Sequence, residues 1–258
     1  MEQERKHANL SAKNLSVSLA KHADEIRAAQ RLRYEVFAQE CGARLNSLTE
    51  GIDQDEVDEY CDHLIVRNET TDEVVGTYRI LTSWKAKKLG AFYSESEFDL
   101  RNLMPLVPRV VEVGRSCIRQ GYRNGAVITL LWSGLAQYMM THSYEYLMGC
   151  ASIQLDDGGT SAISTYMNLK SRCLSPERWR VYPKIPFPLT QVNHSPQLPF
   201  PPLIKGYVRL GAYVCGEPAW DREFNSADLL MLLPLSRMNP RYARHFLGQP
   251  CLNEPSAA

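Results

Sequence analysis

The chain has 258 residues, enough for one large α/β domain, and its 29 basic and 29 acidic side chains leave no formal net charge. That balance excludes a nucleic-acid-binding polycation and an acidic solvating chain. Seven scattered cysteines, at 41, 61, 117, 150, 173, 215 and 251, form no CxxC pair and meet no histidine cluster at metal-ligand spacing, so neither a metal site nor a disulfide framework is expected. The first residues, MEQERKHANLSAKNL, are polar, and the longest apolar run, Leu229 to Leu233, is far too short to span a bilayer. A cytoplasmic protein is expected, with peripheral contact at the inner membrane face left open.

In chain order, Asn14 to Ala20 alternates like a strand, and Asp24 to Gln39 reads as a helix with Ile26, Ala29, Leu32, Val36 and Phe37 on one face and Asp24 as its cap. Residues 41 to 61 lack periodicity and begin an acidic run, Asp53, Asp55, Glu56, Asp58, Glu59 and Asp62. HLIVRNETTDEVVGTYRIL then reads as a hairpin turning at Asn68 to Asp72 and ending near Leu81. A short helix is expected around Phe98 to Leu103, a strand from Val110 to Ile118, a helix from Ala126 to Met140, a strand from Tyr146 to Ile153 and a helix from Thr160 to Lys170. Prolines at 183, 186, 188, 196, 199, 201 and 202 make 176–202 an extended connector. Ile204 to Val214 and Asp228 to Leu233 read as strands, followed by a short helical tail that completes 203–258. The whole is expected to be one domain with its core over about 14–175.

The stretch VVEVGRSCIRQGYRNGAVITLLW, Val110 to Trp132, concentrates chemistry. Glu112 and Arg115 are charges on an otherwise apolar, β-branched strand, costly to bury without partners or a task. Arg119, Gly121, Arg123, Asn124 and Gly125 then lead into the helix at Ala126, and a glycine-bearing loop at a helix start presents free N–H groups and a positive dipole end to a phosphate. An α-amine is largely protonated near neutral pH and must lose a proton before attacking a thioester; Glu112 is the expected base, directly or through water, and Arg115 orients it or binds a carboxylate. Asp55 and Asp58 suit a cationic amino acid, while Arg33 and Arg79 suit that acidic pair or the substrate carboxylate. The bland reading of each is an ion-paired network or a solvated loop.

This order of elements resembles the Gcn5-related N-acetyltransferase (GNAT) fold over about residues 14–175. The resemblance implies an α/β architecture, a mixed central sheet flanked by helices with a C-terminal extension. It further implies that the strand at Ser116, Cys117 and Ile118 receives pantetheine and the thioester carbonyl, while Arg119, Arg123, Gly125 and Ala126 receive the donor phosphate. The family loop Arg/Gln-x-x-Gly-x-Gly/Ala is only approximated here, which makes acyl-CoA the less favoured donor.

Charged positions resemble those of the acyl-homoserine lactone synthases: Arg33, Val36 and Phe37; Asp55 and Asp58; Gly76 and Arg79; Glu112 and Arg115. The tryptophan that those synthases carry after the phenylalanine is absent, with Ala43 near its place. YRNGAVITLLWSGLAQY, GCASI, PPLIKGYVRLGAYVCGEPAWDREFN and SADLLMLLPLSRMNPRYARHFL resemble bacterial ornithine-lipid N-acyltransferases (hemolysin-like GNAT enzymes) over about 15–247. The resemblance implies transfer of a 3-hydroxyacyl group from acyl carrier protein to the α-amine of ornithine, with Arg33, Phe37, Asp55, Asp58 and Arg79 at the substrate and no permanently bound cofactor. Acyl-homoserine lactone synthesis, another N-acyl amino acid synthase, or a non-catalytic module binding acyl carrier protein are the alternatives.

Overall fold

The computed structural model describes residues 14–189 and 198–246. Its strands are β1 Leu15–Leu19, β2 Asp62–Asn68, β3 Glu73–Thr82, β4 Phe98–Asp99, β5 Val110–Ile118, β6 Tyr146–Gln154, β7 Tyr182–Pro183, β8 Tyr213–Val214, β9 Ala219–Asp221 and β10 Ser226–Pro234. Its α-helices are α1 Ala23–Tyr34, α2 Ser83–Leu89, α3 Ala126–Thr141, α4 Thr160–Cys173, α5 Pro202–Leu210 and α6 Pro240–Phe246. They fall into two compact units: the described residues up to Leu81 with Val113–His142, and Thr82–Glu112 with the described residues from Ser143 onward.

In the first unit β1 and β2 pair antiparallel from Leu15↔Asn68 to Leu19↔Leu64, and β2 and β3 form the expected hairpin, from Asp62↔Ile80 to Asn68↔Glu73. The reversal falls at the predicted polar turn, with Asp72 at φ 58°. β5 lies beside β3, and beyond its end Arg119 N donates to Val75 O at 2.9 Å. Helix α1 starts one residue before the expected cap at Asp24. The capping falls to Glu25, whose carboxylate accepts from Lys21 N at 2.7 Å and His22 N at 3.2 Å, because it reaches back over the first turn. The chain continues as a π-helical turn, Glu35–Glu40. Ala29, Leu32, Val36, Ile65, Val74 and Cys117 form one buried cluster, with Phe37 packed against its edge. Helix α3 crosses the strands so closely at Gly76 that a Cβ there would stand 2.3 Å from Val127 Cγ1. That contact explains a glycine in mid-strand, where its entropy cost is otherwise unrewarded.

In the second unit Val110–Glu112 of β5 pair parallel with Tyr146–Met148 of β6, and β6 pairs antiparallel with β10 from Ser226↔Gln154 to Pro234↔Tyr146. Both orientations in one sheet make it mixed. Every residue of β10 is buried, matching its continuous apolar run. β8 and β9 also pair with β10, and β4 pairs with β7.

Two local expectations are corrected, and one helix was not expected. The segment read as a strand from Ile204 to Val214 is helix α5 followed by the two residues of β8. Ile204, Tyr207 and Leu210 recur at helical spacing on the buried side, Pro202 occupies the first turn and Gly211 closes the end, and these signals outweigh the β-branched residues. Phe98 to Leu103 is not a helix: Phe98–Asp99 pairs with Tyr182–Pro183, and Arg101–Arg109 coils as 3-10 turns, because Pro105 and Pro108 lack the N–H that an α-helix uses. Helix α2 lies in a segment left without an element, capped by Thr82 Oγ1, which accepts from Lys85 N at 3.3 Å. Part of the 176–202 connector, residues 190–197, and Cys251 lie outside the described residues.

Candidate active site

The acidic loop ahead of β2 folds around arginines in the first unit. Asp55 caps the 3-10 turn Glu56–Tyr60, its Oδ1 accepting from Val57 N at 3.0 Å and Asp58 N at 3.2 Å, while Asp58 Oδ2 accepts from Asp55 N at 3.0 Å. Arg33, fully buried on α1, donates to both oxygens of Asp58, at 2.8 and 2.7 Å, and to the backbone carbonyl of Asp53. Its Nε stands 2.9 Å from Asp53 Oδ2. Arg79, from β3, donates to Asp55 Oδ1 at 2.6 Å and stands 3.7 Å from Asp58 Oδ2. Arg115, from β5, reaches Asp53 Oδ2 at 3.2 Å and Asp55 Oδ2 at 3.4 Å.

Three aspartates and three arginines thus neutralise one another in a site nearly closed to water, which is the condition under which buried charges are tolerated. Burial pushes the Asp58 carboxyl up, but hydrogen bonds and charge from Arg33, then charge from Arg79, reverse this and hold it at about 2. His63, 3.3 Å from Asp58 O, is pushed below the usual histidine range by burial, against an opposing pull from Asp58. The network opens towards solvent at one end, where Asp55 and Arg115 keep partial exposure.

Arg115 has a left-handed backbone, φ 49°, in the middle of β5. A non-glycine residue held there costs about 1–3 kcal/mol and is found where surrounding structure insists on it. The residues after it divide: Cys117 is buried in the α1 cluster, whereas Ser116 and Ile118 are partly exposed. Burial drives the Cys117 thiol far above its ordinary range, which disfavours the thiolate. Gly125 precedes α3 at φ 96°, and Ala126 N bonds to Asn124 Oδ1 at 3.1 Å. Arg119 pairs with Glu35 at 3.0 Å, and Arg123 pairs with Glu40 at 2.6 Å while its Nε donates to Ile118 O at 2.9 Å. Both arginines are tied to the π-helical turn that follows α1.

Glu112, in the second unit, is buried at 3% exposure. Its carboxylate accepts from Tyr93 N at 2.7 Å, from Ser94 N at 2.8 Å and from Ser94 Oγ. An ionised carboxylate only accepts, so these donors match its charged form. Ser94 Oγ also lies 3.4 Å from Cys150 Sγ, and one ligand atom each from Glu97, Cys150 and Asp228 fall within 4.8 Å of one another. Glu97, Cys150, Asp228 and Asp53 were not singled out as site residues by sequence reasoning. Asp228 did carry a signal, as a charge heading the apolar run of β10; Glu97 lies in an ordinary polar stretch and carried none.

The acetyltransferase (GNAT) domain family matches residues 32–133, the span that holds Arg33, the aspartates, Arg79, Glu112, Arg115 and the start of α3. The fold is similar to that of BjaI, a CoA-dependent acyl-homoserine lactone synthase solved with MTA, with a TM-score of 0.56 and 13% identity over 95% of this chain and 94% of that one. It is also similar to FeeM, an N-acyl amino acid synthase from uncultured soil microbes, with a TM-score of 0.52 and 12% identity over 86% and 91% of the two chains. Domain match and fold define a GNAT architecture.

Closer relatives narrow this. The chain is 34% identical over 250 residues to the L-ornithine N(alpha)-acyltransferase of Brucella abortus (strain 2308), covering 90% of this chain and 89% of that protein. It is 36% identical over 252 residues to the enzyme of the same name from Agrobacterium fabrum (strain C58 / ATCC 33970), covering 91% and 86%. The chain belongs to the L-ornithine N(alpha)-acyltransferase family.

Proposed function

We propose that the protein transfers a long-chain 3-hydroxyacyl group from the phosphopantetheine thioester of acyl carrier protein to the α-amine of L-ornithine, giving lyso-ornithine lipid and the free carrier thiol. The family carries the reading for the acceptor. In the chemistry, Glu112 takes the proton that the attacking amine sheds, directly or through one water, and no acyl-enzyme is formed. Support comes from its burial and from the donors of Tyr93 and Ser94, which fix one geometry for the carboxylate.

Arg115 carries the second catalytic role, presenting a guanidinium from a left-handed position in the strand. Asp55, Asp58, Arg33 and Arg79, with Phe37 beside α1, frame the acceptor; the partly exposed Asp55–Arg115 end is the part of that network able to touch it. Ser116, Cys117 and Ile118 contribute backbone to the thioester, where N–H donors stabilise the oxyanion, and Arg119, Arg123, Gly125 and Ala126 receive the donor phosphate. Among the described residues no helix is long and apolar enough to cross a membrane, and contact with the inner membrane face through the amphiphilic product completes the proposal.

The test is direct. Purified protein is incubated with 3-hydroxyacyl carrier protein or the matching acyl-CoA and, separately, ornithine, glycine, tyrosine or S-adenosylmethionine, and products are identified by mass spectrometry. N-acylornithine from the carrier-protein thioester is expected. A lactone product, or no product with any amine, defeats the reading. Glu112→Gln is expected to lower kcat by about two to four orders of magnitude; undiminished turnover removes Glu112 from the mechanism.

A further inference from the structure

The Glu112 carboxylate is held by one neighbouring side chain as well as by backbone. Tyr93–Ser96 is a single 3-10 turn set between the buried rings of Phe92 and Phe98. The turn is braced from within: Glu95 Oε1 accepts from Phe92 N at 2.9 Å, and Ser96 Oγ donates to Tyr93 O at 2.6 Å. Tyr93 N and Ser94 N are thereby fixed as donors to Glu112. Any residue but proline at these positions would supply the same two N–H groups. The Ser94 hydroxyl is different, because only the side chain brings it.

Ser94 is fully buried, and a hydroxyl sealed from water is costly unless it is bonded. Its one hydrogen goes to Glu112 Oε1, since an ionised carboxylate has none to give. The hydroxyl oxygen also lies 3.4 Å from Cys150 Sγ on β6, a thiol that burial keeps protonated. Among the described residues these two are the partners of the Ser94 side chain, and a thiol is a weak one. The choice of serine therefore serves the carboxylate.

We infer that Ser94 is a positioning residue for the proton transfer, its hydroxyl holding the Glu112 carboxylate ionised and in one orientation to meet the incoming amine. The inference rests on the proposed role of Glu112 as base and names what makes that base available. Burial at 3% exposure favours the neutral carboxyl, which cannot take a proton, and donors aimed at the charged form oppose this. A bond to an ionised oxygen is about twice as strong as one between neutral groups, so losing the hydroxyl shifts the balance towards the protonated acid. The other ionisable side chains acting on this region are Cys150, Glu97 ahead of β4, and Asp228 and Asp221 on β10 and β9. Glu97 is pushed up to about 9 by burial first and then by Asp228 and Asp221. Glu97 and Cys150 thus both keep their protons at neutral pH and bring no charge against Glu112 there.

The full-length protein is compared as wild type, Ser94→Ala, Ser94→Cys, Ser94→Thr and Glu112→Gln. With carbon-13-labelled glutamate, the Glu112 carboxyl is the NMR signal missing from Glu112→Gln. It is expected to titrate about one to two pH units higher in Ser94→Ala than in wild type, and close to wild type in Ser94→Thr, which keeps the hydroxyl. Ser94→Cys, of similar shape with a weaker donor, is expected to fall between them, and carries the comparison where alanine does not fold. Under turnover with 3-hydroxyacyl carrier protein and ornithine, the ratio of Ser94→Ala to wild-type kcat/KM is expected to climb from about 0.01–0.1 on the acid side towards one on the alkaline side. The ornithine amine titrates alike against every variant and cancels in that ratio. A merely structural serine would lower the ratio equally at every pH.

A Glu112 titration unmoved in Ser94→Ala and Ser94→Cys, with a ratio flat in pH, overturns the inference. The two readings fail separately. An unmoved titration beside turnover that Glu112→Gln abolishes sinks the positioning role alone; a titration that moves as expected in a protein yielding no acylated ornithine sinks the acyl-transfer proposal alone.

Discussion

Arg33 and Asp58, 25 positions apart in sequence, meet through two parallel hydrogen bonds of 2.8 and 2.7 Å with neither side chain open to solvent. The planar guanidinium matches the carboxylate edge to edge, and its remaining contacts go to Asp53. Removing one partner of such a pair leaves the other charged and dry. Arg33→Met is therefore expected to lower unfolding free energy by about 3–5 kcal/mol, measured by denaturant titration, and Arg33→Lys to recover only part of it because an ammonium cannot bond both oxygens in the same plane. A loss under about 1 kcal/mol would show the pair to be dispensable.

Two carboxyl groups give stability opposite pH slopes. Asp58 is ordinarily near 3.8 and lies at about 2 in the fold, so its contribution is present above pH 3.8 and disappears as pH falls through about 2. A shift of that size is worth about 2 kcal/mol. Glu97 runs the other way, from 4.5 to about 9: the fold holds a proton that the unfolded chain releases, so stability is full below pH 4.5 and declines as pH rises toward 9. Glu97→Gln is expected to be more stable than wild type in mildly alkaline buffer and to flatten that limb of the profile. Equal midpoints for wild type and Glu97→Gln across neutral and alkaline pH would contradict the prediction.

The first-unit elements were legible because their signals were local. Asn68–Asp72 carries turn chemistry, β1 alternates, and Arg115 stands out as a charge on an apolar strand, as Glu112 does at the strand's second-unit end. Tertiary pairing was not legible: the family resemblance identified Asp55, Asp58, Arg33 and Arg79, but that the arginines neutralise the aspartates depends on three separate segments converging. Helix α5 was misread because Ile204 and Val208 suggested a strand, while of the residues that bound the helix Pro202 was absorbed into the proline-rich connector and Gly211 into the strand itself. Glu97 had no sequence signal, since what distinguishes it is burial beside Asp228 and Cys150 after folding.

Cys117 follows Glu112 and Arg115 closely, yet packs with Leu32, Ile65 and Val74. Its raised proton affinity and burial predict chemical inertness. Alkylation of the native protein, mapped by peptide mass spectrometry, is expected to modify the exposed Cys41 well before Cys117. Cys117→Ala is expected to keep kcat while costing about 1–2 kcal/mol of stability from lost packing. Rapid labelling of Cys117 that tracks loss of activity would reverse this reading.

Gly76 opens the Gly-x-x-Arg pattern that ends at Arg79, and its role is separable from that of the arginine. A methyl group at position 76 would overlap Val127 Cγ1, at 2.3 Å, so α3 or β3 must shift to admit it. Gly76→Ala is expected to cost about 1–3 kcal/mol, and the paired change Gly76→Ala with Val127→Ala to recover a large part of the loss. Thermal unfolding of the two variants decides the matter: equal losses would mean that the close approach is not what fixes glycine there.

Arg119 and Arg123 allow donor binding to be separated from folding. Each is tied to an acid of the π-helical turn, Glu35 and Glu40, and each remains partly open to solvent, where an ion pair adds about 0–1 kcal/mol. Truncation should therefore leave the fold nearly unchanged while removing positive charge beside the start of α3. Arg123→Ala is expected to raise KM for the carrier-protein thioester about five- to tenfold, to weaken the salt dependence of that KM, and to leave KM for ornithine within about twofold. Because Arg123 Nε also braces the Ile118 carbonyl at 2.9 Å, Arg123→Lys tests charge apart from bracing. If the phosphate is what the guanidinium meets, the lysine variant keeps most of the donor affinity; if bracing dominates, it behaves like alanine. An unchanged donor KM in both variants would place phosphate binding elsewhere on the chain.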